Sequence, residues 1–204
     1  MNQLWITTHG GKLEGLRSVS SSFRCNRHCK ARAKNPDAIC AKCYAENYLA
    51  MRKGLEKHLV DNYVWLQGLH EQEEFPRIDD EYFRLESFGD CASLAHARNF
   101  LRFAKANPST VFACWTKNLG YYRHAISLEG KPRNFILVYS SPFVGKMTKV
   151  SEEDMSIVDH VFTVMPKGTP DEQITCGGRH CLSCMRCYRK GGDFEIRELI
   201  KGAK

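Results

Sequence analysis

From Tyr82 onward the chain alternates short apolar runs with stretches of helical period, and that alternation leaves few folds open. Tyr82 to Ser87 (YFRLES) reads as a strand, and Leu94, Ala97, Leu101 and Ala104 then mark one face of a helix that Asn107-Pro108 ends. Val111 to Trp115 (VFACW) is the next strand. A short helix is expected around Tyr121 to Ser127, followed by Asn134 to Ser140 (NFILVYS), an apolar strand between Pro132 and Pro142. Ser151 with Asp154 caps one more short helix, and His160 to Met165 (HVFTVM) reads as the last strand. Upstream, Leu16 to Phe23 (LRSVSSSF) is strand one. Between them Tyr44 to Leu69 reads as one long helix, with Tyr44, Tyr48, Leu55, Leu59, Tyr63, Leu66 and Leu69 on its buried face.

Strand and helix in regular alternation predict a parallel sheet covered by helices. Eight such units take about 250 residues, so a chain of this length falls short of a full barrel. The expected architecture is α/β: a partial (open) parallel β/α barrel of five or six strands, with cysteine-rich loops at the strand C-terminal face. At 43% hydrophobic and 26% charged, with no repeat or long linker, residues 1–204 read as one domain with a single core.

Eight of the ten cysteines form two tight groups, an N-terminal loop (25–43) holding Cys25, Cys29, Cys40 and Cys43, and a C-terminal segment (176–187) holding Cys176, Cys181, Cys184 and Cys187. Closely spaced thiols of this kind select zinc, cuprous copper or iron-sulfur clusters. Disulfides are the poorer reading. Met1 to Gly11 has neither an apolar h-region nor a small-residue cleavage pattern, and no stretch approaches the apolar length of a membrane span. Reduced thiols and a cytoplasmic protein without membrane association are expected. Cys91 and Cys114 stand alone beside apolar runs and read as small buried hydrophobes.

The spacing of the closing group is the sharper of the two. Cys181-x2-Cys184-x2-Cys187, with Cys176 five residues earlier, resembles the ferredoxin run that wraps a [4Fe-4S] cube, whereas zinc more often takes paired Cys-x2-Cys knuckles. In the first group ten residues, Lys30 to Ile39, separate Cys25-x3-Cys29 from Cys40-x2-Cys43, which suits either metal. One or two [4Fe-4S] clusters are expected, with zinc as the alternative. A single cluster sharing ligands from both groups is a further option. Four thiolates on a cube close every iron and leave electron transfer or a structural role; three leave one iron open. Glu86, Asp90 and Lys117 would then lie on the same face as polar contacts for a substrate or cofactor, although the plainer reading makes them strand ends or helix caps. His28 and His180 adjoin the ligand groups as outer neighbours.

The net charge is +7, and the surplus sits on the cysteine segments. From Arg24 to Lys57 there are nine Lys/Arg against three acids, and Arg179 to Lys190 adds four with no acid. Such cations can offset the negative charge of a metal-thiolate group, or they can face phosphates. Offset is favoured, because no nucleic-acid motif or run of aromatics accompanies the basic stretch. The partner expected on this reading is a redox protein rather than nucleic acid.

These residues carry a family resemblance. Cys40-Ala41-Lys42-Cys43-Tyr44-Ala45, Glu86-Ser87-Phe88-Gly89-Asp90, Trp115-Thr116-Lys117-Asn118, Asn134-Phe135 before Ser140-Ser141, and Cys181-x2-Cys184-x2-Cys187-Tyr188 resemble, in this order, the phage gene product 88 family. The resemblance spans roughly Phe23 to Lys190 and implies a phage origin and a cysteine-rich α/β protein. More distantly, a cysteine loop after strand one of a partial barrel is similar to that of radical S-adenosylmethionine enzymes. That likeness implies an open iron and S-adenosylmethionine as cofactor. The chain departs from it in the long insertion before Cys40 and in Lys42, where that family has an aromatic residue. The leading expectation is therefore an iron-sulfur protein with an electron-transfer or redox role; the others are a radical-type enzyme and a zinc-stabilised nucleic-acid binder.

Overall fold

A computed structural model describes residues 4–176, 180–191 and 194–200. Seven strands form one open sheet whose spatial order is the chain order: β1 (Thr7–Thr8), β2 (Arg17–Val19), β3 (Tyr82–Leu85), β4 (Val111–Thr116), β5 (Phe135–Ser140), β6 (His160–Met165) and β7 (Glu195–Leu199). Strands β2 to β7 run parallel, and β1 pairs antiparallel with β2 through Thr7–Ser18 and Thr8–Arg17. The alternating α/β pattern holds, but the expected five or six strands become seven. Two of these escaped the sequence reading. β1 is only two residues long, and β7 follows the closing cysteines, so His160–Met165 is not the last strand.

Parallel neighbours in chain order mean that every crossover steps in the same direction. With crossovers of one hand, the helices must all cover one face of the sheet. They do. Phe83 and Leu85 of β3, Phe112 and Cys114 of β4, and Phe135 and Leu137 of β5 form one cluster with α3 (Leu55–Gln67), α4 (Leu94–Ala106) and α5 (Leu119–Glu129). Phe83, Phe103 and Phe112 meet there with ring centroids 5.0 to 5.7 Å apart, and Cys91 and Cys114 are fully buried as expected.

The residues between them along each strand point the other way. Leu16, Tyr82, Val111, Ala113, Trp115, Ile136, Val138 and Phe162 make a second apolar surface, on what we call the inner face. No long helix covers it. Its cover is the closing cysteine segment, through Met185 and Tyr188, with Cys181 and Cys187 packed alongside.

The long helix expected over Tyr44–Leu69 is two, α2 (Tyr44–Met51) and α3. Gly54 breaks them with φ +89, and a Cβ there would meet nothing, so it is the left-handed backbone that calls for glycine. The seven-residue step from Tyr48 to Leu55 kept both pieces in phase and hid the break. Between strand one and α2 lies a helix the sequence did not reveal, α1 (Arg27–Ala33), capped by Asn26, whose side chain accepts from the His28 backbone N–H at 2.9 Å. The cap of α6 (Glu152–Met155) forms as anticipated, Ser151 Oγ accepting from Asp154 N–H. Among the described residues no helix is long and apolar enough to cross a membrane.

Candidate metal-thiolate and strand-edge sites

The N-terminal loop lies across the C-terminal ends of the strands. Cys25 is half-buried in the turn before α1, its N–H donating to Ser22 Oγ at 3.2 Å. Cys29 lies within α1, Cys40 in the 3-10 turn Ile39–Lys42, and Cys43 caps α2. Cys29 and Cys43 pack against one apolar cluster of Phe23, Ala45, Leu55, Leu59 and Phe88. Further along, Ile39 N–H donates to Pro142 O at 2.8 Å and Ala38 bridges Phe143, stitching the loop to the segment after β5. Burial pushes the Cys29 thiol above its ordinary pKa, reinforced by Asp90, Glu86 and Cys40 and opposed by Lys117. Cys43 is raised too, by burial first and then by Cys40.

Glu86 and Asp90 are where the sequence placed them, at the end of β3, and both are heavily engaged. Glu86 adopts φ +57, a strained backbone for a side-chain-bearing residue. Its carboxylate accepts from Ser21 N–H at 3.0 Å and Ser21 Oγ at 2.6 Å, and His96 Nε2 lies 3.1 Å away. Gly89 lets the chain pass: a Cβ there would stand 2.4 Å from Ser21 O. Asp90 accepts from Thr116 Oγ1 (2.7 Å), Cys91 N–H (2.8 Å), Lys117 N–H (3.0 Å) and Arg32 Nη1 (3.2 Å), while Asn26 Nδ2 donates to its backbone oxygen (2.7 Å). One carboxylate thus ties α1, β3 and β4 together. Lys117 is less committed, Nζ donating to Ser140 Oγ at 3.1 Å. His28 turns away from the thiols, its Nε2 3.0 Å from Tyr121 Oη, and His180 is exposed.

The closing group sits differently from expectation. It follows β6, yet it does not stay at the strand ends; it folds over the inner face of the sheet. Cys176 is buried beside β7, its N–H donating to Arg197 O at 2.9 Å, and its sulfur accepts from Lys12 Nζ at 3.1 Å. Cys181 and Cys184 begin and end the single turn α7 (Cys181–Cys184). Met185 then takes φ +55, reversing the chain so that its side chain and that of Tyr188 enter the inner cluster, with Cys187 between them. Burial pushes the Cys187 thiol up to about 12; Cys176, Cys181 and Cys184 add to the effect and Arg84 opposes it. The four thiols of the segment therefore share one electrostatic neighbourhood. Gly177, Gly178 and Arg179 lie outside the described residues.

Arg84, Trp115 and Tyr188 belong to this site; Trp115 and Tyr188 stood in the sequence as members of the resemblance motifs, and Arg84 was not singled out. A lone arginine in the middle of an otherwise apolar strand was the signal. Its guanidinium stacks over the Trp115 ring, 3.7 Å from the centroid, and Tyr188 lies 5.9 Å from that ring. Arg84 Nε, Trp115 Nε1 and Tyr188 Oη are all buried without a hydrogen-bond partner, and the guanidinium lies near Tyr188 Oη. No Asp or Glu among the described residues forms an ion pair with Arg84.

Protonated thiols repel one another less than thiolates do but hold no metal ion. Among the described residues, no three His, Cys, Asp or Glu side chains converge closely enough to hold a metal as they stand. Each group is assembled to within one neighbourhood rather than to coordination distance.

Fold and sites together define an open-sheet α/β protein whose two cysteine clusters lie on different surfaces, one at the strand edge and one on the inner face. The chain belongs to the Gene product 88 family, whose model matches residues 6–199. Membership agrees with the phage origin implied by the sequence resemblance. No curated protein and no solved structure shows significant similarity to it.

Proposed function

We propose that this protein binds metal through its two cysteine groups, as an iron-sulfur protein with a redox role. The observation that carries the reading is the inner-face site. Four cysteines of ferredoxin-like spacing share that neighbourhood with the half-buried Arg84, whose Nε is one of three orphaned hydrogen-bond groups there. The donor set is soft and suits iron-sulfur or zinc-thiolate binding. Buried polar groups are ordinarily satisfied, and the sulfurs of a metal-thiolate group accept N–H and O–H donors. A bound [4Fe-4S] cluster would supply one-electron chemistry. Cys176, Cys181, Cys184 and Cys187 would hold it on the inner face; Cys25, Cys29, Cys40 and Cys43 would hold a second at the strand edge. Loading requires each thiol to give up its proton, so metal binding releases protons and draws the thiols inward. Protein purified anaerobically should be brown and contain iron and acid-labile sulfide. A colourless protein with stoichiometric zinc would replace iron by the zinc alternative, and a protein that takes up neither would end the reading.

A second reading, a radical-type enzyme using S-adenosylmethionine, is favoured by one feature of the strand edge. Lys117 is close enough to Cys29 and Cys43 to influence both thiols, yet its own ammonium donates only to the Ser140 hydroxyl among the described residues. It could take an anionic group of a bound cofactor. Glu86 and Asp90, being engaged in the scaffold, would shape that site rather than contact the ligand. Reduced protein with an intact cluster should then cleave S-adenosylmethionine; an intact cluster without cleavage removes this reading and leaves the first.

A further inference from the structure

We propose that Arg84 is the built-in countercharge of the C-terminal cysteine centre, donating with Trp115 and Tyr188 to a metal-thiolate group seated over the inner face of the sheet. The inference rests on the metal reading above and deepens it. Arg84 is half-buried, with its Nε out of water, and a guanidinium partly removed from water without a carboxylate partner carries a desolvation cost that an anion would offset. None of the described acids does so. What does face Arg84 is sulfur and phenol, the side chains of Tyr188, Tyr44, Cys181 and Cys187.

The neighbours argue against a purely packing role. Arg84 Cζ stands 3.7 Å over the centroid of the Trp115 ring, and its Nε is unsatisfied. Trp115 Nε1 and Tyr188 Oη are orphaned in the same cluster. Three donors from β3, β4 and the cysteine segment thus lack acceptors where two of the four cysteines, Cys181 and Cys187, pack. Four thiolates around one zinc ion carry net charge −2, and a thiolate-held cube is likewise anionic, so one acceptor class answers all three donors and the cation at once. The second basic group at this site follows the same logic on its other side: Lys12 reaches Cys176 while pairing with Glu198.

The test uses zinc alone as the probe, in full-length protein carrying Cys29→Ser and Cys43→Ser so that the C-terminal group is the one titrated. Chelator competition gives affinity, and thermal unfolding is followed with and without zinc. Arg84→Met keeps an unbranched side chain against Trp115 and removes the charge. It should weaken zinc binding on the order of 10- to 100-fold, as loss of an outer-shell partner commonly does. Without zinc its unfolding midpoint should equal or exceed that of the parent, because a half-buried cation without a carboxylate partner has gone. Arg84→Lys should recover part of the affinity. Equal zinc affinity in parent and Arg84→Met overturns the assignment while leaving the metal reading standing. So does an Arg84→Met protein that fails to fold without zinc, since Arg84 would then be a prop for Trp115. A parent that binds no zinc removes the metal reading of this group and the inference with it.

Discussion

The two cysteine regions look alike in sequence and differ in how the fold treats charge. At the strand edge, the two arginines that brace the loop are matched by acids, and Lys117 is the exception. Arg24 bridges Glu46 and Glu56, and Arg32 reaches Asp90 together with Lys117 O and Asn118 Oδ1. On the inner face the central cation has no carboxylate, and donors are left over. The first region is held by its own hydrogen bonds; the second is incomplete without something that accepts. A basic composition around cysteines therefore does not have one meaning, and which cations are already paired is what separates scaffold from site.

The largest effect should come from removing the knot of the first region. Asp90→Ala strips four donors of one acceptor and leaves Arg32 unmatched, and should cost about 3–5 kcal/mol of stability in chemical denaturation. A loss within about 1 kcal/mol, as for an exposed pair, would mean that the strand-edge loop is anchored elsewhere. Met185→Ala attacks the other region by removing the residue that plugs the inner face, and should cost about 2 kcal/mol or more. Hydrogen exchange should localise the opening to the closing segment and leave the helix-covered face protected. If both faces open together, the contrast between a helical side and a lightly covered side is wrong.

Metal content sharpens the comparison next. Cys184→Ser should lose the metal of the closing group, whereas Cys114→Ser, buried beside the Tyr122 hydroxyl at 2.9 Å, should leave metal content unchanged. Equal losses would erase the distinction between ligand and core cysteines. A smaller, pH-dependent effect belongs to His9 beside Arg84. Burial, then Arg84 and Arg52, lower its pKa from 6.5 to about 4. The unfolded chain therefore takes up this proton first, so His9 subtracts stability progressively as pH falls from about 6.5 to about 4. His9→Gln should flatten the unfolding midpoint across that window; an unchanged profile would show that His9 does not feel the inner-face cation. The least effect is expected at Arg24, whose pairs with Glu46 and Glu56 are solvent-exposed, and Arg24→Ala should leave the denaturation midpoint almost unmoved.

What sequence alone determined here follows from local physics. Alternating periods of two and 3.6 residues marked β3 to β6 and α4, because side-chain period is a property of the segment itself. Cysteine spacing marked both thiol groups for the same reason. Short elements were not legible: β1 has two residues, α7 one turn, and neither develops a period. Only tertiary structure decided that the closing cysteines leave the strand edge for the inner face, that Glu86 and Asp90 are spent on Ser21, Thr116 and Arg32, and that Arg84 lacks a carboxylate. Glu86 meets Ser21 across 65 residues of chain, and Asp90 meets Thr116 and Arg32 across 26 and 58, so no local pattern encodes whether a charge will find its partner.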